Sequence, residues 1–153
     1  MAPGESTRWT TARRVINYVN LSTPLGLLVS VIGGARRTPG PDGLILAVGY
    51  RYGFPIARAF TIGNVVLTKH DLALLSRSDL LRHEDRHATQ YAFCLGVLML
   101  PMYVTGLAVS YAACGDHWSW NPFERLAGLD DGGYVRRPPW WRRPRRKGRR
   151  GRA

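Results

Sequence analysis

Acidic residues are missing from the end of this chain, and charge of either sign is missing from a long stretch near its middle. From Arg136 to Ala153 there are nine Arg, one Lys and no Asp or Glu; from Tyr91 to Gly115 there is no charged residue at all. A segment with that much like charge, interrupted by Pro138, Pro139, Pro144, Gly148 and Gly151, cannot build a core of its own, so 136–153 reads as a disordered polybasic tail. Cysteine is nearly absent: Cys94 and Cys114 both lie in apolar sequence. That excludes a disulfide framework and predicts two buried thiols. A signal-peptide layout is also lacking, because Met1 to Ala12 is mostly polar and the apolar stretch after Arg13-Arg14 is broken by Asn17, Asn20 and Pro24. The expected location is the cytoplasm, with membrane association open.

What is present is enough for one ordinary domain of the 153 residues. The net charge of +12 sits almost wholly in the tail, leaving the body near neutral. The division expected is a disordered N-terminus over 1–14, a folded domain over 15–135 and the tail. No internal repeat is visible. Asn20-Leu21-Ser22-Thr23-Pro24 signals a helix start before Leu25 to Ile32, and Arg36 to Gly43 reads as a loop. Leu44 to Tyr50 and Ala57 to Leu67 read as two extended segments joined through Gly53-Phe54-Pro55, hence as an antiparallel pair. Lys69 to Ser78 connects them to a helix opened by a capping box at Ser76-Arg77-Ser78-Asp79 and running from Leu80 towards Gly96. Pro101 is expected to interrupt, Met102 to Ala113 to be helical, and Asn121-Pro122-Phe123-Glu124 to start a last short helix ended by Gly128. The fold class is therefore α+β.

The chemistry resides in His83-Glu84-Asp85-Arg86-His87, the pattern H-E-x-x-H. Residues four apart share a helix face, so His83 and His87 present two imidazoles to one metal ion. Glu84, one step round, is left to take a proton from a water on that ion. The surroundings are apolar on both sides, and five ionisable groups in the middle of such a helix need a partner such as a cation. The competing account is a solvated helix turn.

Zinc asks for a third protein ligand, and Glu124 is the best candidate. The alternative for Glu124 is a capping box with Asn121 and Pro122. Asp116 and His117 are reserve ligands, and His70 reads as a surface residue. Tyr91, Tyr103, Tyr111 and Tyr134 are each candidates to stabilise an oxyanion, or else packing residues. Asp130 and Asp131 either orient a ligand histidine or form a turn.

Strand pair, H-E-x-x-H helix, return helix and later glutamate together resemble the gluzincin branch of the zincin metallopeptidases, over roughly 44–134. The chain also resembles a small, poorly characterised bacterial family in which a stretch like Asn121-Pro122-Phe123-Glu124-Arg125 follows the motif helix. The resemblance implies a zinc-dependent metallopeptidase with His83, His87 and Glu124 as ligands and Glu84 as general base. It also implies a peptide or protein substrate held by an edge strand, here within Ala57 to Leu67. One departure is plain: a gluzincin glutamate sits within a longer helix, and Glu124 lies near a helix start.

Two other classes stay open. One is a non-catalytic membrane-associated protein anchored by the 91–114 segment, and the other a metal-free, zincin-derived structural protein. A straight helix over Tyr91 to Gly115 would carry the chain ~37 Å at about 1.5 Å per residue and separate Glu124 from the histidines. A shared ion thus requires the run to fold back at Gly96, Pro101 or Gly106, and a bend near Pro101 is expected. Next to Trp140 and Trp141, the tail suits an anionic membrane surface better than nucleic acid phosphates, and no specific nucleic-acid fold is apparent.

Overall fold

The computed structural model describes residues 3–53, 55–75 and 78–142. Phe54, the Ser76-Arg77 half of the expected capping box, and the tail beyond Arg142 lie outside the described residues. The architecture is α+β. Two helices, α1 (Pro3–Val19) and α2 (Ser22–Ile32), precede four strands, β1 (Arg36–Pro39), β2 (Ile45–Val48), β3 (Ala59–Ile62) and β4 (Val65–Thr68). Then come the short α3 (Leu72–Leu75), the motif helix α4 (Ser78–Phe93), α5 (Met99–Cys114) and α6 (Pro122–Ala127).

The segment 1–14, expected to be disordered, is helical from Pro3 onward. The reason is a polar seam rather than an apolar one. Arg13 and Asn17, four apart and both buried, face α4. Arg13 binds the Asp85 carboxylate and carbonyl and reaches across to the Asp42 carbonyl at 2.7 Å. Asn17 donates to the Ala88 carbonyl at 2.8 Å and Asn20 to that of Tyr91 at 3.2 Å. Residues that look like helix interruptions in sequence are thus the contacts that hold α1 in place.

The sheet order is β1-β2-β4-β3. The expected antiparallel pairing of the two extended segments is corrected here. Ala57 to Leu67 is not one strand: Gly63-Asn64 folds it into the hairpin β3–β4, with Gly63 at φ 62° where a side chain would be strained. β2 then pairs with β4, in parallel. All four residues of β4 are buried, as a strand covered on both faces must be. Arg36 to Pro39, expected within a loop, is an edge strand antiparallel to β2, and its charge and terminal proline suit an edge.

Alternate residues of these strands feed two apolar layers. Leu44, Leu46, Val48 and Val66 pack with Leu75, Leu80 and Ala88 of α3 and α4. Ala47, Val65 and Leu67 pack with Leu25, Leu27 and Val29 of α2, and with Met99 at the start of α5. Fully burying such aliphatic side chains contributes about 1.5–3 kcal/mol each.

The uncharged run from Tyr91 is two helices and not one. The bend falls at Leu95-Gly96, with Leu95 at φ 55° and Gly96 at φ 70°, and not at Pro101. Pro101 stands in the first turn of α5, where the missing N–H costs nothing. Cys94 and Cys114 are separate thiols, but only Cys114 is fully buried. Among the described residues one helical stretch, Gly96–Cys114, is long and apolar enough to cross a bilayer, with mean hydropathy 1.6.

Candidate metal centre

Helix α4 turns Leu80, His83, Glu84, His87, Ala88 and Tyr91 inward. The two imidazoles are brought into contact, Nε2 to Nε2 at 3.1 Å, with the rings nearly perpendicular. Glu124, the third residue of α6, meets them. Its Oε2 is 3.3 Å from His83 Nε2, and its Oε1 is 3.5 Å from His87 Nε2. All three side chains are buried, and their nearest ligating atoms lie within 4.8 Å of one another. Among the described residues this is the group of His, Cys, Asp or Glu side chains placed to hold a metal ion.

The direction of Glu124 is not that of a capping-box residue. A capping-box glutamate would reach back to the Asn121 amide, but that N–H donates to the Trp118 carbonyl at 3.1 Å. Capping is done by Asn121 itself, whose Oδ1 accepts from Phe123 N at 3.0 Å. Glu124 points into the site, where Tyr103 of α5 donates a hydrogen bond to Oε1. Oε2 is buried with no hydrogen-bond donor. Gly106 lets this happen: a Cβ there would stand 2.5 Å from Asn121 Oδ1, so only glycine lets α5 come this close to the start of α6.

The outer nitrogens of the histidines fix the tautomers. His83 Nδ1 lies 2.9 Å from the Gly128 carbonyl, an oxygen that only accepts, so Nδ1 carries the proton. His87 Nδ1 lies 2.9 Å from Gln90 Oε1. The Gln90 amide nitrogen donates to the Phe123 carbonyl at 2.9 Å, which orients the oxygen towards His87. In the neutral rings both Nε2 atoms are left with lone pairs, and they converge on the Glu124 carboxylate. Burial alone pushes the Glu124 carboxyl up, but the His83 and His87 rings beside it and the Tyr103 hydroxyl outweigh it and hold it at about 2. The pKa of His87 is raised: burial lowers it, and Glu124 more than reverses that. Three electron-pair donors thus share one small buried volume around a retained negative charge.

Glu84 stands apart from this trio. Its Oε2 accepts from Thr61 Oγ1 of β3 at 2.7 Å. Burial pushes its carboxyl above the usual range, opposed by the nearby histidines and by Thr61. The other candidates separate cleanly. Asp116 accepts from the Trp118 and Ser119 amides, and the His117 ring stacks on Tyr111 at 4.8 Å, so neither reserve ligand joins the group. His70 is exposed. Asp130 pairs with Arg136, and Asp131 with Arg82 and Arg86, not with a histidine. Arg86 also binds the Ala127 carbonyl, so Asp131 steadies the loop that supplies Gly128. Tyr91 is buried, Tyr111 is exposed, and the Tyr134 ring stands 5.8 Å from that of His83.

Sequence reasoning missed Thr61, Gln90 and the Gly128 carbonyl. Gln90 had a signal, since it sits one turn beyond His87 on the same helix face. A cleft of about 360 Å³ opens beside the site, lined by Arg58, Leu80, Asp130, Asp131 and Gly132. The Gly132 backbone lies close against His83. No protein-family model matches the chain, and comparisons with curated proteins and with solved structures find no match.

Proposed function

We propose that the protein is a zinc-dependent metallohydrolase, most simply a peptidase, with His83, His87 and Glu124 as ligands and Glu84 as general base. One observation carries the reading: two histidine Nε2 atoms and a carboxylate, all buried, converge within 4.8 Å of one another, and Glu124 Oε2 has no hydrogen-bond donor. Leaving such groups unpaired is costly, and a cation removes the cost. Two neutral imidazoles and a carboxylate are a donor set that suits zinc, with a fourth position left for solvent or substrate. The bound ion would act as a Lewis acid, polarising a carbonyl and making a water easier to deprotonate.

The rest of the work belongs to the chain. Thr61 holds Glu84 Oε2, which leaves Oε1 to accept a proton from the attacking water and pass it to the leaving amine. The raised proton affinity of Glu84 suits it to carry that proton between the two steps. Tyr103 steadies Glu124, while Gly128 and Gln90 hold the rings in the ligating tautomer. Tyr134, beside His83 and next to the cleft, is the tyrosine we assign to the oxyanion. β3 is an edge strand of the sheet and is packed against α4, so an extended peptide added along it would run past Thr61 and Glu84.

The test is metal content and peptide hydrolysis on wild type and Glu84→Gln. We expect one zinc per chain in both, and hydrolysis lost by about 10²–10⁴-fold in the variant. Wild type that neither retains nor takes up zinc would end the metal reading. Zinc retained in wild type with equal hydrolysis by both proteins would end the assignment of Glu84.

A further inference from the structure

Two turns far apart in sequence are docked into one tip, and both are built from the wrong residue for a turn facing water. Leu21 ends the α1–α2 turn at φ 66° and Leu95 the α4–α5 turn at φ 55°. The left-handed region favours glycine or asparagine, and leucine there is strained. The turns are joined where Asn20 donates to the Tyr91 carbonyl and Gly96 lies against the Asn20 backbone. Leu21 is 62% exposed and Leu95 70%, beside Val19 and Phe93, which are equally bare.

From this tip α5 leads away, and its outer side carries Leu98, Met102, Val104 and Val109, all exposed. Where α5 ends, Trp140 donates from Nε1 to the Ala112 carbonyl, and Trp141 is 71% exposed. Arg136 and Arg137 precede the tryptophans, and the strongly cationic segment follows them. Apolar tip, apolar helix side and an aromatic, basic end therefore lie along one helix.

We propose that this surface seats the protein on an anionic lipid bilayer, with α5 lying along the membrane and not across it. A transverse α5 is excluded by its neighbours. Tyr103, midway along α5, contacts Glu124 and His87. Set across a bilayer, α5 would carry the ionisable groups of that site to hydrocarbon depth, where they are costly. Lying flat, α5 and the tip enter the acyl region, the tryptophans take the interface and the arginines meet lipid phosphates. Charge selects the occupant: a second copy of this chain brings the same excess of +12, and an anionic bilayer brings the opposite sign. The inference does not depend on the metal.

The experiment is vesicle flotation of the full chain. It compares phosphatidylcholine vesicles containing phosphatidylserine with phosphatidylcholine alone, at low and high salt. Leu21→Asn/Leu95→Asn removes the apolar side chains with a residue the left-handed backbone accepts, so folding is retained and circular dichroism verifies it. We expect strong binding to the anionic vesicles and at least a tenfold loss of partitioning in the double variant. Met102→Gln/Val109→Gln reports the helix side in the same way. Equal flotation of wild type and both variants, abolished by salt, would mean adsorption by the tail alone and overturns the proposal. So would a dimer in analytical ultracentrifugation that the same substitutions dissolve, because the apolar face would then be an interface between copies.

Discussion

Helices α4 and α5, joined through the bend at Leu95-Gly96, break the hydrophobic rule in opposite directions. On its inner face α4 buries two histidines and a glutamate where a core asks for leucine, and α5 exposes methionine and valine where solvent asks for lysine. Each departure carries a cost, and each marks a place where a partner from outside the chain would offset it. The difference lies in what completes them. The inner site could hold one small cation, and its surroundings are tied down by hydrogen bonds to Gln90 and Gly128 and from Tyr103 and Thr61. The outer face offers area without direction, since Leu98, Met102, Val104 and Val109 are apolar and exposed.

That contrast can be broken experimentally, starting where the effect is largest. His87→Ala removes a ligand and leaves Glu124 facing a gap. We expect zinc affinity to fall about a thousandfold, roughly 4 kcal/mol, by competitive titration with a chromophoric chelator. Equal affinity would show that α4 is not a ligand helix. Gln90→Ala frees the His87 ring without removing a ligand, and the same titration should register a loss of about 10–100-fold. Smaller still is Glu84→Gln in metal-free protein. The folded-state pKa of Glu84 is raised, so its contribution to stability is complete below the unfolded carboxylate pKa and is lost as pH rises through the folded value. The variant should therefore melt higher than wild type at neutral pH, with the gap closing on acidification; a gap that widens in acid would reverse the sign. Smallest is Val104→Thr on the outer face, expected to change unfolding free energy by less than about 0.5 kcal/mol in urea. A loss of several kcal/mol there would mean that α5 is packed and not bare.

How much of this could be read beforehand depends on where the signal is kept. His83, Glu84 and His87 announce themselves because ligand spacing on a helix is a pattern in residue types. Glu124 was ambiguous because a cap and a ligand ask for the same residue at the same position, and only the side-chain direction separates them. Gly128 could not be foreseen at all, since it contributes a backbone carbonyl that any residue has. Helix α1 was hidden because its packing stripe is Arg13, Asn17 and Asn20, so a search for apolar periodicity finds nothing. The bend was assigned to Pro101 because proline is the loudest punctuation, although a first helical turn tolerates it. The sheet centre was missed for a related reason: Gly63-Asn64 is a two-residue hairpin inside what looks like a single β-branched run.

The route of the chain between the ligands has its own consequence. Leaving His87, it rounds the tip at Leu95, travels the length of α5 and returns through Asn121 before Glu124 arrives. A cation held at both ends of that excursion would work as a clasp, fastening a long loop much as a crosslink would. Chelation should therefore loosen α5 and α6 while α4 stays anchored by α1, so that amide exchange quickens first in the helix that contributes no ligand.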